Sequence, residues 1–354
     1  MSHKRVTLVA ALALGLAASV AGAQPQPPTT PPRLAALPAD TAAHIKAGMA
    51  LTGGAVPKSA VGEFFNTARF ANYVPGHLLP QPDHPMGARE LLPPARAFDQ
   101  LYYVGNVFVG SWVLNTPDGI IMWDAMDNED EAEHIVEAGI RKLGLDPARL
   151  KTIVLTHGHG DHYGGIPYFT KKYPGIRVLS ADWDLMARTA NAPAPRNFNF
   201  GPPPAKGDTV TDGQKLTLGG TTVTLYVTPG HTNGAVSAIF PVTDKGARHM
   251  VALFGGFGLP QQLGPSDRAA GLDIYDSQVK RFAAAAQAAG VDVVMSTHPG
   301  FDGTEYHVEK INGGYKGPSP WIMGKDGAQR FFKLVQEMSA AVRGLIVASQ
   351  KANP

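Results

Sequence analysis

Three histidines and an aspartate fall within six residues in Thr156-His157-Gly158-His159-Gly160-Asp161-His162-Tyr163-Gly164-Gly165. The cluster follows a buried-type strand segment, Thr152–Leu155, and opens a helix-type one. Its place in the pattern constrains the fold more than any other feature. A short apolar run of this kind is a strand buried on both faces. The polar cluster then sits at the carboxyl end of that strand, where open α/β sheets bind ligands. On an extended or looping backbone His157 and His159 point the same way, because side chains repeat every two residues. Gly158 and Gly160 let the chain turn tightly without Cβ clashes. Asp161 and His162 lie at the helix start and face a second point. The arrangement suits two adjacent metal ions better than one, and a solvated loop has no reason to concentrate such residues.

The chain has no Cys among its 354 residues, so disulfides, thiolate nucleophiles and Cys-ligated metals are excluded. Imidazole suits zinc and Asp adds a hard oxygen. A catalytic zinc keeps an open position for water, so each ion needs three protein ligands. The local motif supplies four. Two further candidates are His231, in Thr228-Pro229-Gly230-His231-Thr232, and His298, in Ser296-Thr297-His298-Pro299-Gly300. Both follow apolar strands in Gly/Pro turns, as His157 does. The other seven His are scattered and read as ordinary.

The remaining pattern is layered α/β. Asp130–Leu143 fits an amphipathic helix, with further helices at Gly165–Lys172, Asp182–Thr189, Tyr275–Ala289 and Gly327–Val347. Strands alternate with them, at Ile176–Leu179, near 215–218, 221–227, 235–240 and 249–254, and at Val291–Met295. Thr41–Met49 fits a short helix inside an otherwise irregular, Pro-rich stretch at 24–95, and the domain proper is expected over 96–350. Residues 191–206 form a long loop whose Arg196, Phe198 and Phe200 could cap a cleft.

Lys4 and Arg5, an apolar run from Val6 to Val20 and Ala21-Gly22-Ala23 make a secretory signal peptide, with cleavage after Ala23. The run is short for a membrane span, and a retained anchor is the alternative. The expected setting is periplasmic or secreted, with no membrane association after cleavage. Removing 1–23 leaves 29 bases against 29 acids, so neither nucleic acid nor another polyanion is expected as a partner. A small-molecule substrate is.

His157-x-His159-x-Asp161-His162 after a strand, then Pro-Gly-His231-Thr, then His298-Pro, closely resembles the metallo-β-lactamase superfamily over about residues 100–305. The resemblance implies a four-layer αββα sandwich with a dizinc site along one edge between the sheets. It implies that His157, His159 and His231 hold one Zn2+, that Asp161, His162 and His298 hold the other, and that a hydroxide bridges them. Asp161 is then also the catalytic residue that orients the hydroxide. Hydrolases of the glyoxalase II type carry a bridging Asp in a Gly-Asp segment, whereas Leu253-Phe254-Gly255-Gly256-Phe257-Gly258 offers none. The first β-lactamase subclass has a Cys near there. The third uses only His and Asp, which this chain matches, but it also has a Ser near the position of Phe257 that is missing here. The absent Asp favours β-lactam hydrolysis and the absent Ser weakens it against a lactonase or other ester hydrolase. A zinc-binding protein without useful catalysis is the alternative of another class. The oligomeric state is not legible.

Overall fold

The computed structural model describes residues 37–54, 56–58, 60–61, 90–191, 199–260 and 268–352. The leader expected at 1–23, and Arg196 and Phe198 of the expected cap, lie outside these residues. Two sheets form the centre. The first has seven strands in chain order: β1 (Leu91–Arg96), β2 (Leu101–Asn106), β3 (Gly110–Thr116), β4 (Gly119–Trp123), β5 (Leu150–Val154), β6 (Arg177–Ser180) and β7 (Asp208–Thr209). Strands β1 to β4 pair antiparallel, and β4 to β7 run parallel. The second sheet has the order β12-β11-β10-β9-β8, from β8 (Lys215–Leu218), β9 (Thr221–Val227), β10 (Val236–Asp244), β11 (Ala247–Leu253) and β12 (Val293–Met295).

The alternation of side chains along each strand builds the layers. In β4, Ile121 and Trp123 face the second sheet, while Ile120 and Met122 face the outer helices. In β11, Val251 and Leu253 face the first sheet and Ala252 faces outward. The core between the sheets includes Trp112, Leu114 and Val154 against Leu225, Ala238 and Phe240, with Trp123 stacked on Phe240 at 4.7 Å. Outside the first sheet pack α2, a helical run of Glu129–Glu131, a π-helical Ala132–Glu137 and Ala138–Lys142, and then α3 (Gly160–Tyr163), α4 (Ile166–Lys172) and α5 (Trp183–Thr189). Outside the second lie α6 (Arg268–Ala288) and α9 (Gly324–Ala352), with the short α7 (Pro299–Asp302) and α8 (Thr304–Asn312) following β12. This is the expected αββα sandwich. Among the described residues no helix is long and apolar enough to cross a membrane.

Two described elements begin before residue 96, where the domain proper was expected to begin. Leu91–Arg96 is the edge strand of the first sheet, paired with β2 across a register shift between Leu92 and Ala95. Pro93 and Pro94 sit in that shift, where a missing N–H is tolerated. Ala39–Leu51 is a helix, α1, packed on α9. It buries Thr41, Ile45 and Gly48, one face at helical spacing. A Cβ at Gly48 would run into Met338, and His44 Nδ1 meets Glu337 Oε2 at 2.6 Å. Helix α1 therefore belongs to the outer layer of the sandwich.

Helix α2 is held to α4 through a buried carboxylate. Tyr168 donates to Glu137 Oε2 (2.7 Å), and Arg141 and Lys172 reach the same group at 2.8 and 3.0 Å. Burial alone would raise the Glu137 carboxyl, but these donors outweigh it and hold it down to about 2. A carboxylate with a depressed folded pKa stabilises above its unfolded value and loses that contribution as the pH falls toward the folded one. Glu137→Gln is expected to cost about 1–2 kcal/mol at neutral pH, discounted because Arg141 and Lys172 are partly solvated. Denaturant melts should show the gap to wild type closing as pH falls from about 5 toward 2.

Candidate metal centre

The two sheets meet at one edge. Val236 N, at the start of β10, donates to Thr156 O just past β5 (2.7 Å), joining the sheets there. Trp112 Nε1 on β3 donates to Ser296 O beyond β12 (2.7 Å), and Gly110 N donates to Thr297 O (2.9 Å). The turns after β5, β9 and β12 therefore open on a common space. They bring all six residues expected from sequence into two groups: His157, His159 and His231, and Asp161, His162 and His298.

Within the first group His231 Nε2 lies 3.1 Å from His157 Nε2 and 3.1 Å from His159 Nδ1. Within the second, His162 Nε2 lies 3.1 Å from His298 Nε2, and Asp161 Oδ2 lies 3.5 and 3.6 Å from those two nitrogens. Donors bound at about 2.0–2.1 Å in a tetrahedron are roughly 3.3 Å apart, so both groups fit one tetrahedral cation each. The rings of His157 and His162 are 3.9 Å apart, which places the groups side by side.

The outer nitrogens define which atoms face inward. His157 Nδ1 donates to Gly255 O (2.9 Å), His298 Nδ1 to Phe108 O (2.7 Å) and His162 Nδ1 to Asp124 Oδ2 (2.7 Å). Each turns its Nε2 toward the site, the usual orientation of a ligating imidazole. Burial and the neighbouring rings push His157 and His231 well below the ordinary His value, and burial pushes His159 down too and His298 down to about 4. Those rings are neutral at pH 7, the form that coordinates a metal. His162 behaves oppositely. Burial disfavours its charge, yet Asp161 and Asp124 raise it to about 9. For Asp161 burial works upward, but His162, His298 and His159 hold it at about 2. The second group thus pairs an ionised Asp161 with a His162 whose protonated form is favoured, so a cation bound there would displace the His162 Nε2 proton.

The glycines of the motif are required by close approach and not by a left-handed backbone. Gly158, Gly160 and Gly164 do not adopt positive φ. A Cβ on Gly160 would strike the Phe200 ring, and one on Gly164 would enter the Asp127 carbonyl. Close approach requires them. Phe200, at the described end of the 191–206 loop, lies over the motif, and Gly201 N donates to Asp127 O (2.7 Å). Phe257, where the supporting Ser was missed, turns away into a cluster with Phe254, Phe301 and Phe331.

Sequence reasoning passed over Asp124. It is fully buried, and its backbone takes a positive φ of 59°, uncommon outside Gly. Its carboxylate accepts from Thr156 N (2.8 Å), Thr156 Oγ1 (2.7 Å) and His162 Nδ1. An acidic residue directly after the buried strand 120–123 was the available signal. Asp124→Asn is expected to weaken divalent-cation binding about 10–100-fold, measured by competition with a chromophoric chelator. Wild-type affinity in that variant would remove the role.

Residues 104–244 match the metallo-β-lactamase superfamily. The fold is similar to the crystal structure of BJP-1, a subclass B3 metallo-β-lactamase of Bradyrhizobium japonicum, at TM-score 0.59 and 26% identity, covering 75% of this chain and 97% of that one. A hydroxyacylglutathione hydrolase of Stenotrophomonas maltophilia is 27% identical over 120 residues, 33% of this chain and 40% of that one. The atrochrysone carboxyl ACP thioesterase of Aspergillus fumigatus is 33% identical over 83 residues, 23% of this chain and 21% of that one. The chain thus spans less than half the length of these two curated relatives.

Proposed function

The chain carries a metallo-β-lactamase superfamily domain, and on that premise we propose that it is a dizinc hydrolase that opens the cyclic amide of β-lactams. The observation carrying the reading is the pair of adjacent triads with tetrahedral edge lengths and no cysteine. His157, His159 and His231 would hold one zinc, and Asp161, His162 and His298 the other. When bound, zinc lowers the pKa of water to about 7 and polarises a carbonyl, which supplies nucleophile and electrophile at neutral pH.

The chain's own groups do the positioning. Asp161, ionised and largely buried, would accept a hydrogen bond from the attacking water and orient its lone pair toward the carbonyl carbon. Asp124 holds a proton of His162 on Nδ1 and so aims Nε2 at the second triad. Phe108 packs edge-on against His298 at 5.0 Å and Phe200 covers Gly160, so apolar rings limit water beside both triads.

The absence of a carboxylate in Leu253–Gly258 and the likeness to BJP-1 favour a lactam over a lactone or thioester. The second reading, an ester or thioester hydrolase, is favoured by the names of the two curated relatives. Residues 1–23 support an exported, periplasmic setting.

Elemental analysis is expected to find about two zinc per chain, and none in freshly purified protein would overturn the assignment. Carbapenem hydrolysis that chelator abolishes and zinc restores is the expected activity. Turnover of thioesters or lactones with none of carbapenem or penicillin would move the assignment to the second reading. Asp161→Ala is expected to lower kcat by about a hundredfold or more with the fold intact. Full activity in that variant would refute its role.

A further inference from the structure

Asp182 stands at the N-cap of α5, a place where Asp ordinarily accepts a hydrogen bond from the first helical turn. Here its side chain makes no such bond. One oxygen, Oδ2, accepts from Gly158 N at 2.9 Å, and the other, Oδ1, accepts from Gly234 N at 2.8 Å. Gly158 lies between His157 and His159. Gly234 is three residues past His231, in a turn closed by Gly230 N donating to Thr232 O (2.9 Å). The carboxylate is 3% exposed and bridges two loops whose histidines are 74 residues apart in sequence. Its own backbone is fixed on both sides, with Asp182 N donating to Ser180 Oγ (3.0 Å) and Asp182 O accepting from Met186 N (3.1 Å). The loops approach to contact: a Cβ on Gly158 would press on the Asp182 side chain, and one on Gly234 would enter the Ala181 carbonyl.

We propose that Asp182 is a positioning residue that clips the His157–His159 loop to the His231 loop and thereby sets the metal affinity of the all-histidine triad. The proposal rests on the dizinc reading above. Its physical basis is donor count. Two N–H groups from two separate loops need two acceptors, and a carboxylate is the side chain that offers two oxygens with no competing donor. An amide in the same place offers one oxygen and one NH2, so one loop faces a donor and is released. The 3.1 Å separations among His157, His159 and His231 then relax. The second triad draws His298 from another turn and is not held by this carboxylate.

The test is zinc affinity, read by competition with a chromophoric chelator, alongside thermal melting. Asp182→Asn is expected to fold and to bind one zinc about 10–100-fold more weakly while holding the other as wild type does, which gives a two-step release. In a His231→Ala background Asp182→Asn should add less than about twofold, whereas in a His298→Ala background it should retain its full effect. Ser180→Ala frees the backbone of the clip without touching either loop, and should weaken the same zinc by a smaller factor. Two zincs held at wild-type affinity in Asp182→Asn, or equal weakening of both, would overturn the proposal. If that variant fails to fold, Ser180→Ala decides, and unchanged zinc binding there overturns it. A wild-type chain that takes up no zinc removes the dizinc reading itself, and the clip with it.

Discussion

Two sheets can build one site along a shared edge only if their strand ends are held level, and the bond from Val236 N to Thr156 O does this. It joins the start of β10 to the residue before the His157 motif. A neighbouring tie, Trp112 Nε1 to Ser296 O, sets the turn after β12 at the same height. Ligands from three turns can then meet within a few ångströms although they come from both sheets. The apolar filling between the sheets, with Trp123 on Phe240 at its centre, fixes the gap across which those turns face one another.

Charge organises the site as much as packing does. Placing five imidazoles and a carboxylate in one partly buried space is costly unless each has a defined partner. Asp124 orients His162, the Phe108 carbonyl orients His298, and the Gly255 carbonyl orients His157. Burial drives four of the rings toward the neutral form, while Asp161 and Asp124 together favour the charged form of His162. The two triads therefore differ electrically although both are built on the same ten-residue motif. One offers three neutral nitrogens, the other two nitrogens and an anionic oxygen, and that asymmetry would divide polarising and water-orienting work between them.

Much of the site was legible because its spacing is local. His157, His159, Asp161 and His162 are read from one stretch, and His231 and His298 follow from strand-end turns once four ligands are in hand. The positioning carboxylates were not legible. Asp182 accepts from two backbone N–H groups, which carry no side-chain signature, and Asp124 reaches Thr156 and His162 from more than 30 residues away. Asp182 also sits where an ordinary helix cap is expected. In the fold, strand β1 was hidden by Pro93 and Pro94, which read as breakers although an edge position tolerates them. Helix α1 showed its pattern but not its partner, because Thr41, Ile45 and Gly48 pack against a helix some 290 residues later. The π-helical segment Ala132–Glu137 has the apolar spacing of an ordinary amphipathic helix and gave no warning.

The two ends of the seven-stranded sheet bear on how this protein behaves when crowded. An open sheet edge is a row of unpaired donors and acceptors on which a neighbouring molecule can extend the ladder. At β1 the consecutive prolines delete two donors and break the register, and at the far side β7 is only the two residues Asp208–Thr209. Among the described residues neither border of this sheet offers an unbroken run long enough to template another strand, so the same prolines that obscured the edge in the sequence blunt it against fibrillar self-association.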